Sequence, residues 1–143
     1  MMRCFTTRKA CRLVIDSSAL LAILADEPEA EACARAIGSA ADRRISAVTF
    51  VETAVVIDRR RDPIASRRLD DLIRETSIAI EPVDEAQAFI AREAYRDFGR
   101  GSGHPAQLNF GDCFAYALAR LRGEPLLFKG DDFGQTDIAR ALP

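Results

Sequence analysis

The sequence predicts an α/β protein with a central, mainly parallel sheet flanked by helices on both faces. Two observations carry this. Four short runs read as strands, at residues 13–16, 44–47, 78–81 and 126–128, and stretches of helical pattern alternate with them. Such alternation implies a parallel sheet covered on both sides. In sheets of this kind ligands gather outside the carboxyl ends of the strands, where the strand order reverses.

In chain order, Leu13-Val14-Ile15 is a buried strand ended by Asp16. Ser17 or Ser18 caps a helix through Leu24, and after Pro28 an Ala-rich helix runs from Glu29 to Ile37. Arg44 to Ala47 is the second strand. Thr49 opens an apolar helix to about Arg60, and Pro63 begins another to about Glu75. Ile78-Ala79-Ile80-Glu81 is a strand stopped by Pro82. Asp84 caps a long helix to about Phe98, with Ala88, Ala91 and Tyr95 on one stripe. Residues 99–108 hold three glycines and a proline and form the clearest loop. Phe110 to Arg122 is helical, Leu126 to Phe128 is the last strand, and Gly134 to Leu142 closes the chain.

At 143 residues the chain makes one domain, assigned to residues 13–143, with residues 1–12 an N-terminal extension. Hydrophobic content of 48% and charged content of 29% describe an ordinary globular protein, and a net charge of −2 excludes a strongly basic nucleic-acid binder. All the basic residues except Lys9 and Lys129 are Arg, bunched at Arg43-Arg44, Arg59-Arg60-Arg61 and Arg67-Arg68. Arg suits phosphate through its planar fork, although solvated helix faces account for most such clusters. Cys4, Cys11, Cys33 and Cys113 lack zinc spacing, and the last two sit in apolar helical patterns as core thiols. Asp16, Ser17 and Ser18 interrupt the apolar run that begins at Leu13, so it reads neither as a signal peptide nor as a membrane span. The expected location is the cytoplasm.

The chemistry lies in the carboxylates. Asp16 ends the first strand, Glu52 stands alone in the apolar run from Phe50 to Val56, Asp112 opens a helix, and Asp131-Asp132 follow the last strand. Each has a structural alternative. Asp16 fits a helix N-cap, Thr49–Glu52 and Asn109–Asp112 have capping-box spacing, and Gly130-Asp131-Asp132 fits a turn. Taken together they point toward one edge of the sheet. If the first and last strands are neighbours, Asp16 and Asp132, 116 residues apart, meet in one cleft. Clustered carboxylates repel unless a cation holds them. Oxygen donors without His or Cys select Mg2+ or Mn2+, which activates water toward a phosphodiester. The only histidine, His104, lies in the glycine-rich loop, leaving no His pair and no Ser-His-Asp or Cys-His set; Walker and GxGxxG loops are absent too.

Four stretches carry a resemblance: Val14-Ile15-Asp16-Ser17-Ser18-Ala19-Leu20; Ser46-Ala47-Val48-Thr49-Phe50-Val51-Glu52; Leu108-Asn109-Phe110-Gly111-Asp112-Cys113-Phe114-Ala115-Tyr116-Ala117; and Leu127-Phe128-Lys129-Gly130-Asp131-Asp132-Phe133-Gly134-Gln135-Thr136-Asp137. In order and spacing the chain resembles the PIN-domain family, and within it the VapC-type toxins of bacterial toxin–antitoxin modules. The resemblance implies a Mg2+- or Mn2+-dependent endoribonuclease. Asp16 and Asp112 are then the principal metal ligands, and Glu52 and Asp132 complete the acidic pocket, with Asp131 at a variable position beside them. Ser17, Asn109 and Thr136 orient carboxylates or water. The implied partners are RNA, with transfer or ribosomal RNA the usual targets, a VapB-like antitoxin that fills the pocket, and a second copy in a homodimer. Lys129 departs from the family pattern, where Thr or Ser is common, so one hydroxyl near the metal site is expected to be missing. The rival readings are a PIN nuclease of housekeeping RNA processing and a non-catalytic acidic binding module.

Overall fold

The computed structural model describes residues 11–143, so most of the N-terminal extension lies outside the described residues. Its last residue, Arg12, already belongs to the first strand. Strands β1 (Arg12–Ile15), β2 (Asp42–Ser46), β3 (Ala79–Glu81) and β4 (Leu126–Leu127) form one sheet in the order β3-β2-β1-β4. Every neighbouring pair is parallel. Val14 pairs with Arg44 on one side and Leu126 on the other. The first and last strands are therefore neighbours, and the order reverses between them.

Helices α1 (Ser17–Leu24), α2 (Ala30–Ser39), α3 (Ala47–Asp58), α4 (Pro63–Glu75), α5 (Glu85–Phe98) and α6 (Phe110–Arg122) cover the sheet. Successive strand residues face opposite sides, and β1 shows both sides buried. Leu13 and Ile15 join Leu20, Cys33, Ile37, Ile45 and Leu127 in one cluster. Val14 joins Ala91, Leu108, Cys113, Tyr116, Leu118 and Leu126 in the other. A strand buried on both faces needs an unbroken apolar run, which is why Leu13-Val14-Ile15 reads as it does.

The local rules differ from expectation at three places. Asp16, rather than a serine, is the N-cap of α1, and its side chain accepts from the Ser18 amide. Helix α3 starts at Ala47 after an extended Ser46, so the Thr49–Glu52 capping box does not form. Thr49 is instead buried within the first turn, and Glu52 is free to point elsewhere. On α5 the stripe splits, for Ala91 is buried while Ala88 and Tyr95 are exposed beside Phe110 and Phe114. Cys33 and Cys113 are buried, as their patterns predict.

The arginine pair on β2 serves the fold. Arg43 donates to the carbonyls of Ile37 and Thr76, and Arg44 pairs with Asp42 and Glu81. Neither is available for phosphate, in contrast to the exposed Arg59, Arg60, Arg61, Arg67 and Arg68. Among the described residues no helix is long and apolar enough to cross a membrane.

Candidate acidic active site

The order reverses between β1 and β4, which brings the carboxyl ends of the two strands side by side. Asp16 is buried there, 3% exposed, because the chain leaves β1 extended and turns at once into α1. Its Oδ2 accepts the Ser18 amide at 3.0 Å and the Ser18 hydroxyl at 2.7 Å. Ser18 Oγ in turn accepts the Lys129 amide at 2.9 Å, and the Asp16 amide donates to Leu127 O at 2.9 Å. The ends of the two strands are thus tied through one hydroxyl. Asp16 Oδ1 is buried with no partner. Burial pushes this carboxyl above the usual range, and the charge of Glu52 pushes it the same way.

Glu52 projects from the second turn of α3 and accepts the Ser17 hydroxyl at 3.0 Å. Its carboxylate rests against Gly111, where a Cβ would stand 1.8 Å from Oε2. Burial raises its pKa, and Asp112 adds to the rise. Asp112 is the third residue of α6 and forms the capping box that its spacing predicts. Its amide donates to Asn109 Oδ1 at 2.9 Å, and the Asn109 amide donates to Asp112 Oδ2 at 3.0 Å. The bond fixes the carboxylate without neutralising it. Burial pushes Asp112 up to about 6, against the lowering effect of the Asn109 amide bond; the charges of Asp16 and Asp132 add to the rise, and Arg100 opposes it most weakly.

Asp132 is exposed at the head of a short 3-10 turn, Phe133–Gln135. Asp16, Glu52, Asp112 and Asp132 therefore form a continuous chain of like charges, each felt by the next. Asp131 is exposed beside Asp132. Ser17 and Asn109 each bond a carboxylate, Glu52 and Asp112 respectively. Thr136 does not, since its hydroxyl donates to Phe133 O at 2.7 Å and accepts from the Ile138 amide at 3.3 Å, which fastens its own turn.

Sequence reasoning passed over Ser18. Its hydroxyl accepts the Lys129 amide, and the Lys129 ammonium pairs with Glu27 and Glu29. The Asp-x-Ser spacing at a helix start was the available signal. Arg100 was passed over as well, and no local pattern marks it.

Among the described residues no three His, Cys, Asp or Glu side chains are drawn into a ready-made ligand cluster. The donor set nevertheless fits a hard divalent cation. All four groups offer oxygen, the first three resist ionisation through burial and mutual repulsion, and Asp16 Oδ1 is a buried acceptor lacking a donor.

Residues 13–139 match the PIN domain. The chain belongs to the PIN-domain family. Among PIN proteins it is similar to ribonuclease VapC28 of Mycobacterium tuberculosis, 57% identical over 130 residues that span 91% of this chain and 98% of the relative. That places it in the VapC branch. The PIN fold is also that of the crystal structure of Mycobacterium tuberculosis VapC20, described as a sarcin-ricin loop cleaving toxin. There the TM-score is 0.71 at 19% identity, covering 92% of this chain and 99% of that one. A toxin–antitoxin complex from Klebsiella pneumoniae contains the same PIN fold, with a TM-score of 0.62 at 18% identity over 85% of this chain and 89% of that one.

Proposed function

We propose that this PIN-domain protein is the endoribonuclease toxin of a VapBC-type pair, and that Asp16, Glu52, Asp112 and Asp132 are its catalytic carboxylates. The observation that carries the reading is the unpartnered Asp16 Oδ1, buried at the β1–β4 reversal beside the other acids, in a chain 57% identical to a VapC ribonuclease.

Asp16 and Asp112 are the residues to hold Mg2+ or Mn2+, with Glu52 and Asp132 completing the pocket directly or through water. When bound, such an ion would supply charge neutralisation and a water of lowered pKa. The protein's own part is positioning. Ser18 fixes Asp16, Ser17 fixes Glu52, and the Asn109 amide fixes Asp112, so three carboxylates are oriented before any ligand arrives. Exposed Arg59, Arg60, Arg61, Arg67 and Arg68 are the phosphate contacts that bring RNA to an acidic cleft.

Structured RNA with an exposed loop, of the transfer or ribosomal class, is the proposed substrate, because unstacked bases are what proteins read in RNA. A VapB-like antitoxin is the proposed partner, supported by the toxin–antitoxin complex among the structural neighbours. We assign the active form as a cytoplasmic homodimer. The test is cleavage of total transfer RNA and ribosomal RNA by antitoxin-free protein in Mn2+ or Mg2+, with EDTA and Asp16→Asn as controls. Discrete fragments that vanish in both controls are expected. Cleavage that survives EDTA would overturn the reading.

A further inference from the structure

We infer that Arg100 is a substrate-contacting residue, its guanidinium holding a phosphate of the RNA at the rim of the cleft beside Asp112; this rests on the nuclease reading above. The segment from α5 to α6 is rich in glycine, yet its two stems are zipped together. Gly99 bridges Leu108 in a parallel sense, the Leu108 amide donates to Phe98 O at 2.9 Å, and the Arg100 amide donates to Leu108 O at 3.0 Å. Arg100 is thereby set level with the residue that precedes Asn109, and Asn109 is bonded to Asp112.

The tip beyond it is also held. The Ser102 amide donates to Gly99 O at 3.1 Å, and Gly101 and Gly103 both take φ of +87°, which only glycine adopts without strain. His104 Nδ1 accepts the Ala106 amide at 3.0 Å while its ring meets Phe98 edge-on at 4.8 Å. Ala106 and Leu108 are fully buried anchors. The position of Arg100 is therefore a product of the fold, although its side chain reaches into solvent.

Like the exposed Arg59, Arg60, Arg61, Arg67 and Arg68, and unlike the arginines of α6 and the tail, it carries no other duty among the described residues. Arg120 pairs with Asp137, Arg122 with Glu124 and Asp42, and Arg140 lies over the Phe128 ring. Among the described residues Arg100 has no carboxylate within ion-pair distance, although its charge is felt at Asp112. A structural counter-ion for Asp112 would close that gap. A cation standing off the acids leaves room for the group that belongs between them. RNA approaching four carboxylates needs a positive charge at the point of entry, and a guanidinium presents a fork matched to phosphate oxygens.

The experiment compares full-length wild type, Arg100→Ala, Arg100→Lys and Arg96→Ala, a control that removes an exposed arginine paired with Asp97. Binding of a fluorescein-labelled single-stranded RNA is measured against NaCl in EDTA, and cleavage of total transfer RNA is measured in Mn2+. Losing one phosphate contact lowers the slope of log affinity against log salt by about 0.7 for a single strand, and this is expected for Arg100→Ala but not for Arg96→Ala. In cleavage, Arg100→Ala is expected to lose about 30-fold in kcat/KM, with Arg100→Lys recovering part, and the rise in melting temperature on adding Mn2+ unchanged. Equal salt slopes for Arg100→Ala and wild type would overturn the inference, as would a cleavage loss matched by a lost Mn2+ response. If wild type itself cleaves nothing, the nuclease reading fails, while the salt slopes still decide whether Arg100 meets phosphate.

Discussion

The Glu52 carboxylate occupies the space that a side chain on Gly111 would need, with Oε2 1.8 Å from where that Cβ would be. Gly111 sits in the first turn of α6, so an alanine there gains about 0.5–1 kcal/mol in helix propensity. The obstructing atom is the far end of a flexible side chain, and Glu52 can swing away. Gly111→Ala should therefore keep or slightly raise the melting temperature while breaking the Ser17–Glu52 bond. A misplaced carboxylate should lower cleavage on the order of 10²-fold. Wild-type cleavage by a folded Gly111→Ala protein would show that Glu52 is not needed where it stands.

Asp16→Asn and Asp112→Asn should each abolish RNA cleavage and growth arrest while leaving circular dichroism unchanged. Both amides keep an oxygen for the existing backbone bonds. Mn2+ should raise the melting temperature of wild type by linkage, and of Asp16→Asn much less. Equal shifts in the two proteins would argue against a cation at Asp16.

In EDTA the pocket should carry a pH signature. Asp112 is pushed up to about 6 in the folded protein, above the 3.8 of a free carboxyl, so the folded state binds the proton more tightly. The stability it contributes is complete below 3.8 and is lost as pH rises through 6. Asp16 and Glu52 are shifted in the same direction. Asp112→Asn has no such charge to suppress. Its melting temperature relative to wild type should climb between pH 4 and pH 7 in EDTA, and Mn2+ should erase the advantage. A flat difference across that range would mean the repulsion is not felt.

Ser18 couples Asp16 to the Lys129 amide, a pairing that spans 111 positions of sequence. Ser18→Ala removes a donor and an acceptor at once and should cost about 1–2 kcal/mol. With Asp16 less firmly held, half-maximal cleavage should require several-fold more Mn2+, and Ser18→Thr should restore most of the loss. Titration of cleavage against Mn2+ separates this from simple destabilisation. An unchanged midpoint would confine Ser18 to the fold.

The inner strand β1 was readable because burial on both sheet faces demands an unbroken apolar run, and the helices because each parallel crossover needs one. Asp16, Asp112 and Asp132 were noticed for a related reason, since strand ends and helix starts recur at one edge of such a sheet. Glu52 was harder. Its spacing from Thr49 imitates a capping box, and only the earlier helix start at Ala47 releases the side chain toward Ser17. The Thr136 hydroxyl is bonded within its own turn, to Phe133 O. The bond from Ser18 to Asp16 has a local signal, but its bond to the Lys129 amide depends on β1 meeting β4, which no short window of sequence contains.

The parallel pairing of β1 with β4 has a temporal meaning. Asp16 is synthesised early, but its cleft has no second wall until residues 126–132 have emerged and docked against the first strand. Until then Asp16 stands alone at the end of β1, and the acids of the two strand ends cannot meet.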